Sequence, residues 1–129
     1  MDDDCNASID DAVPPPTTRP TVLAGKAGSA TVLSWAAAPD ATGYDAVKGN
    51  LGPLRNSHGN FTTTTKACIA DDLAATSLDD AEVPPAGGGL WLLVRPVNAC
   101  GGAGTYDAEG TSQQGSRDAE IAASANACP

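Results

Sequence analysis

The amino-acid sequence predicts an all-β protein, a two-sheet antiparallel sandwich of about seven strands. Three observations predict it. Short segments rich in Val, Thr, Leu and Tyr recur between turn-forming clusters, and the chain holds 14 glycines and 10 prolines. No long stretch has the 3.6-residue apolar period of an amphipathic helix, whereas evenly spaced short strands with turn signals read as a sandwich. The longest apolar run, residues 89–98 (GLWLLVRPVN), is apolar on both faces. Leu90, Leu92, Val94 and Pro96 alternate with Trp91, Leu93 and Val97. A strand apolar on both faces belongs in the middle of a sheet with a layer on each side.

The elements follow in order. Residues 1–20 have no apolar periodicity: an acidic start leads into the run Pro14-Pro15-Pro16-Thr17-Thr18-Arg19-Pro20. Such a run tends to polyproline II and reads as a semi-rigid spacer, so the sandwich is expected over 21–129. Residues 21–27, with Val22 and Leu23, make a first short strand. Residues 30–35 make the second, with Thr31, Leu33 and Trp35 on one face. Burying an indole removes about 200 Å² from water, worth at most roughly 5 kcal/mol, which makes Trp35 the main core anchor. After a Pro39-Asp40 loop, residues 44–48 form the third strand. Residues 51–55 can close one helical turn, and 61–69 (FTTTTKACI) should be extended because β-branched residues dominate. A short strand at 76–80 and a Gly/Pro turn precede the central strand. Residues 105–114 and 116–123 are expected as weak strands.

The totals exclude several functions. A formal charge of −9 and a pI near 4.1 argue against nucleic acid and anionic lipid as partners. No apolar run approaches the roughly 20 residues that span a bilayer, so membrane insertion is not expected. Met1 is followed at once by three aspartates, so no signal peptide is visible; either Met1 is an added start or the chain is a piece of something longer. Cys5, Cys68, Cys100 and Cys128 form no CxxC pair and the chain has one histidine, so disulfides outweigh a zinc site. Three pairings are open.

Four landmarks in order resemble a fibronectin type III domain, as carried by bacterial extracellular proteins. They are Thr31-Val32-Leu33-Ser34-Trp35, Pro39-Asp40-Ala41-Thr42-Gly43-Tyr44, Thr76-Ser77-Leu78-Asp79-Asp80 and Leu92-Leu93-Val94-Arg95-Pro96-Val97-Asn98. Leu90 stands where that family usually has tyrosine, and the long 50–66 segment and the cysteines depart from its pattern. The resemblance implies an immunoglobulin-like sandwich acting as a secreted or cell-surface spacer, adhesion or assembly module. It also implies that Cys68 and the turn after Cys100 share one pole, hence a Cys68–Cys100 bridge. Cys5 and Cys128 would then pair together, pair between chains, or stay free. On the resemblance Trp91 and Leu93 lie on the outer face. They form a protein interface, for docking or self-association, unless the 50–66 segment or the C-terminal tail covers them. The start of the chain is similar to the end of an Asp/Cys-rich metal-binding repeat of bacterial surface proteins.

Little else carries chemistry. Asp2, Asp4, Asn6 and Asp10 stand at positions 1, 3, 5 and 9 of an EF-hand-like loop, so calcium is the one cofactor the sequence offers, and otherwise none is expected. Ala7 and Val13 replace the turn glycine and the bidentate glutamate, which favours a solvated acidic tail. Asp71-Asp72, Asp79-Asp80 and Glu82 read as loop acids, and His58 as loop surface. No catalytic residue is expected. Two further readings remain beside the binding module. One is a subunit of an extracellular filament, its extended N-terminal arm added to a neighbour's sheet edge. The other is a carbohydrate-binding domain with Trp91 or Tyr106 as a stacking platform for a glycan.

Overall fold

A computed structural model describes residues 13–108, 113 and 115–129. Among the described residues seven strands form two antiparallel sheets: β1 (Leu23–Ala27), β2 (Ala30–Ser34), β3 (Gly43–Asn50), β4 (Thr65–Ala70), β5 (Ser77–Asp80), β6 (Leu90–Asn98) and β7 (Gly102–Ala103). The sheet orders are β1-β2-β5 and β4-β3-β6-β7. This is the two-sheet antiparallel sandwich that the sequence predicts. Three short helices complete the described chain: α1 (Leu51–Asn56), α2 (Phe61–Thr64) and α3 (Arg117–Ala122).

Strand alternation sets the layers. Leu33, Trp35, Tyr44, Ala46 and Val94 are buried between the sheets, with Leu78 and Leu92 against them. Trp35 meets Tyr44 edge to face at 5.3 Å. The Tyr44 hydroxyl accepts a 2.7 Å hydrogen bond from the Ala38 N–H, tying the β2–β3 loop to the core. Lys48, on the same face of β3 as Tyr44 and Ala46, reaches across to β5. Its Nζ lies 2.7 Å from Asp80 Oδ1 and 2.7 Å from Glu82 Oε2. Burial opposes its charge, but the hydrogen bonds and charges of Asp80 and Glu82 outweigh that and raise its pKa. Lys66 pairs with Glu82 as well.

The opposite face of the four-stranded sheet carries a second core. Val47, Trp91, Tyr106, Ile121 and Cys128 are buried there, with Leu51, Leu54, Phe61 and Leu93 packed round them. The helices and the C-terminal tail supply the cover. Phe61 of α2 stands edge to face on Trp91 at 5.0 Å. Glu120 Oε2 of α3 accepts from the Phe61 N–H at 2.7 Å, and the Thr62 hydroxyl donates to the Glu120 carbonyl at 2.9 Å. Gly49 permits the packing: a Cβ there would come within 2.5 Å of the Trp91 ring and would strike the Thr64 carbonyl.

Three expectations are corrected. Residues 61–64 are helical although their side chains favour strand. The Asn60 side chain caps them, accepting from the Thr63 N–H at 3.1 Å, and the Thr64 and Thr65 hydroxyls bond back to the carbonyls of Asn60 and Phe61. Residues 117–122 are helix rather than strand, capped by Ser116 with Asp118 and Glu120 in the first turn. Cys68 pairs with Cys128, not with Cys100. Cys68 stands opposite Val47, and Val47 opposite Leu93. Cys100 lies in the turn beyond Asn98, and the five residues from Leu93 to Asn98 alone rise about 17 Å along the strand, which no disulfide bridges. Cys100 is itself disulfide-bonded.

The expected spacer does not stand away from the sandwich. Pro16 is buried, and the Thr17 N–H donates to Asp40 Oδ2 at 3.0 Å. A Cβ at Gly101 would lie 2.5 Å from the Pro14 carbonyl oxygen, so glycine is what lets residues 13–16 lie against the turn after β6.

Candidate functional site

A cleft of about 530 Å³ follows one edge of β6. Residues 92–94, 19–22 and 105–108 line it, and Arg19 and Arg117 are its two cations. The edge is open because β7 is short. Only Val97 and Asn98 of β6 have partners in β7 among the described residues. The Gly104 N–H then donates to the Pro96 carbonyl at 2.8 Å. In an antiparallel ladder alternate residues direct both backbone groups to the same side. The Pro96 bond therefore sets the direction of its alternates: the N–H and C=O of Leu92 and Val94 point away from β3 into the cleft.

The next segment is held off this edge by side chains. Asp118 Oδ1 accepts from the Tyr106 N–H at 2.7 Å, and the Thr105 hydroxyl donates to Asp118 Oδ2. The Asp107 N–H donates to the Thr105 hydroxyl at 2.9 Å, and the Ala108 N–H to Gln113 Oε1 at 2.7 Å. The Asp107 carbonyl accepts from Arg19 Nε at 2.8 Å. These backbone groups are satisfied without β6, so the described part of the weak strand expected over 105–114, residues 105–108, is not strand. Asp107 itself is stabilised as a carboxylate. Burial works against its charge, yet hydrogen bonds from Gln113, Ser116 and the Arg117 N–H bring its pKa below the usual value.

Beside the cleft the outer face carries a charged layer. Arg95 holds Asp45 Oδ2 through Nη2 at 2.8 Å and Nε at 2.9 Å, and its guanidinium lies 4.7 Å above the Tyr106 ring. Asp45 Oδ1 accepts from the Asp72 N–H at 3.1 Å. The Tyr106 hydroxyl is buried without a hydrogen-bond partner, and burial raises its pKa far above the ordinary phenol value. Carboxylate oxygens of Asp45, Asp71 and Asp72 come within 4.8 Å of one another. Asp71 is exposed, and partial desolvation followed by the charges of Asp45 and Asp72 raises its pKa. The arginine already neutralises the innermost carboxylate, so the group reads as a structural ion pair with two exposed acids.

The residues singled out from the sequence are scattered. Trp91 is 8% exposed and Leu93 half-buried under the helices, so they form a core rather than the expected free interface. The same burial leaves neither Trp91 nor Tyr106 available as a glycan-stacking platform. Cys68 and Cys128 are joined on the outer face, away from Cys100. The calcium-loop residues Asp2, Asp4, Asn6 and Asp10, and Cys5, lie outside the described residues. His58 is exposed in a left-handed turn at φ 58°. Of the expected acid pairs, Asp80 and Glu82 are engaged by Lys48. Sequence reasoning missed the open edge. Its signal was the cluster Gly101-Gly102-Ala103-Gly104, which ends strand pairing early, followed by Thr105 and Asp107, residues that bond locally.

No protein-family model matches the chain, and no curated protein matches it. Among solved structures it is similar to the crystal structure of a Fn3-like protein from Clostridium thermocellum. The two are 21% identical over 70% of this chain and 88% of that one, with a TM-score of 0.48.

Proposed function

We propose that this chain is a non-catalytic module of a secreted or cell-surface protein, serving assembly or adhesion by holding another polypeptide. The observation that carries the reading is the cysteine chemistry: Cys68, Cys100 and Cys128 are all disulfide-bonded. Disulfides form and persist outside the reducing cytosol. The strongest polar groups point the same way. Asp45 with Arg95, and Lys48 with Asp80 and Glu82, are matched to one another across strands and support the sandwich rather than a reaction. No helix among the described residues is long and apolar enough to cross a membrane. In the filament reading the donor strand is the N-terminal arm. Residues 13–17 of that arm lie against their own sandwich, which favours a foreign donor over this one.

The test is thiol chemistry on protein exported to an oxidising compartment and on protein kept in the cytosol. The exported form should show no titratable thiol and a Cys68–Cys128 peptide on mapping. A cytosolic form that is equally stable with every thiol free would sink the export reading.

A further inference from the structure

We propose that the open edge of β6 is an acceptor slot for one added strand, an extended peptide segment of a partner protein that carries a carboxylate. This deepens the module reading by naming what the module holds, and rests on it only in taking the partner to be a polypeptide.

Three observations carry it. First, Leu92 and Val94 direct their peptide groups into the cleft, and among the described residues nothing hydrogen-bonds them there. Peptide groups left unpaired along a strand edge are a ready template for another strand. An added strand satisfies all of them through main-chain bonds. Second, the slot has the shape of one strand. Residues 90–95 offer about 20 Å of edge. Segments 19–22 and 105–108 line the same cleft, joined by the Arg19 Nε to Asp107 carbonyl hydrogen bond. Third, the charge is specific. Arg117 lines the cleft in a chain of net charge −9. Its Nη1 donates to the Tyr106 carbonyl at 3.3 Å and its guanidinium lies 5.9 Å from the Phe61 ring centroid, but it has no carboxylate partner among the described residues. A carboxylate on the incoming segment completes it.

Hydrogen exchange on the intact, oxidised protein reads the first claim. The amides of Trp91, Leu93 and Arg95 face β3 and should exchange slowly. Those of Leu92 and Val94 should exchange at least about tenfold faster, since their opening needs no strand separation. Slow exchange at Leu92 and Val94 means an already occupied edge and overturns the proposal. The second claim is read by panning a phage-displayed decapeptide library on the same protein, then synthesising a recovered peptide. Its binding should slow exchange at Leu92 and Val94. N-methylation of every second amide in one phase should weaken binding by ~10-fold or more, about 1.4 kcal/mol, while the other phase is tolerated. Arg117→Gln should weaken the carboxylate peptide several-fold but not its amide counterpart. Tryptophan emission checks that the variant remains folded. Recovery of no binder, binding that leaves Leu92 and Val94 unprotected, or indifference to both N-methylation phases overturns the slot. None of these results bears on the thiol titration, so slot and export reading fail separately.

Discussion

The two faces of β3 and β6 look alike in the sequence and are covered in different ways. Toward the other sheet, Trp35 and Tyr44 meet in a core built by the alternating side chains of the strands. On the outer face, Trp91 and Val47 are covered by three helices of four to six residues and by a tail held through one disulfide. The difference separates two ways of burying an indole. Sheet stacking buries Trp35 as a consequence of strand alternation. Trp91 is buried because segments distant in sequence are individually tied over it, by the Asn60 and Ser116 caps, by Glu120 and by the Cys68–Cys128 bridge. Isolated helices this short are not stable in water, so the cap exists only through those ties.

The contrast can be broken from either side. Trp35→Ala should have the largest effect, about 3–5 kcal/mol, and should lower the whole unfolding transition in a denaturant titration. Replacing both Cys68 and Cys128 by Ala should cost at most roughly 4 kcal/mol, the chain-entropy value for a separation of 60 residues. Its signature should be local. Hydrogen exchange should quicken in α3 and the tail well before it quickens in β2 and β3, and uniform acceleration would mean that the two cores form one cooperative unit. Gly49→Val should cost about 2–3 kcal/mol by driving a side chain into Trp91 and the Thr64 carbonyl. Near-ultraviolet circular dichroism should report loss of the Phe61–Trp91 contact with Trp35 emission unchanged. Tyr106→Phe should be smallest, within about 1 kcal/mol near neutral pH, because the hydroxyl it removes has no partner. It should also change the alkaline limb. The folded-state pKa of Tyr106 is raised above its ordinary value of 10.0. Stability attributable to the neutral phenol is therefore complete below pH 10 and falls as pH rises beyond it. The variant should lose stability less steeply there.

Much of the first core was legible and little of the second. Alternation placed Leu33 and Trp35 together and put Leu92 and Val94 opposite Trp91 and Leu93, because a period of two is a local property of one strand. The 61–64 segment was not legible as helix. Its threonines favour strand, and the deciding contact is with Glu120, 59 residues away from Phe61. Residues 116–122 did carry a readable helix start, Ser116 followed by Asp118, Ala119 and Glu120, which the weak strand reading passed over. The Cys68–Cys128 pairing depends on where the tail lies, and four cysteines leave that undetermined. The open edge of β6 was hidden for a related reason. Nothing local says that Asp118 takes the Tyr106 N–H before a strand can.

The Cys68–Cys128 bridge also settles where mechanical load enters. A pull applied at Pro129 passes through Cys128 into Cys68 and so into β4, with the 60-residue separation between the two sulfurs shunted out of the tether. Under tension from that end the helical cover is not peeled from its tip. Force arrives in the sheet itself, and the slack stored in α3 and the edge segments is released only after a reductant opens the bridge.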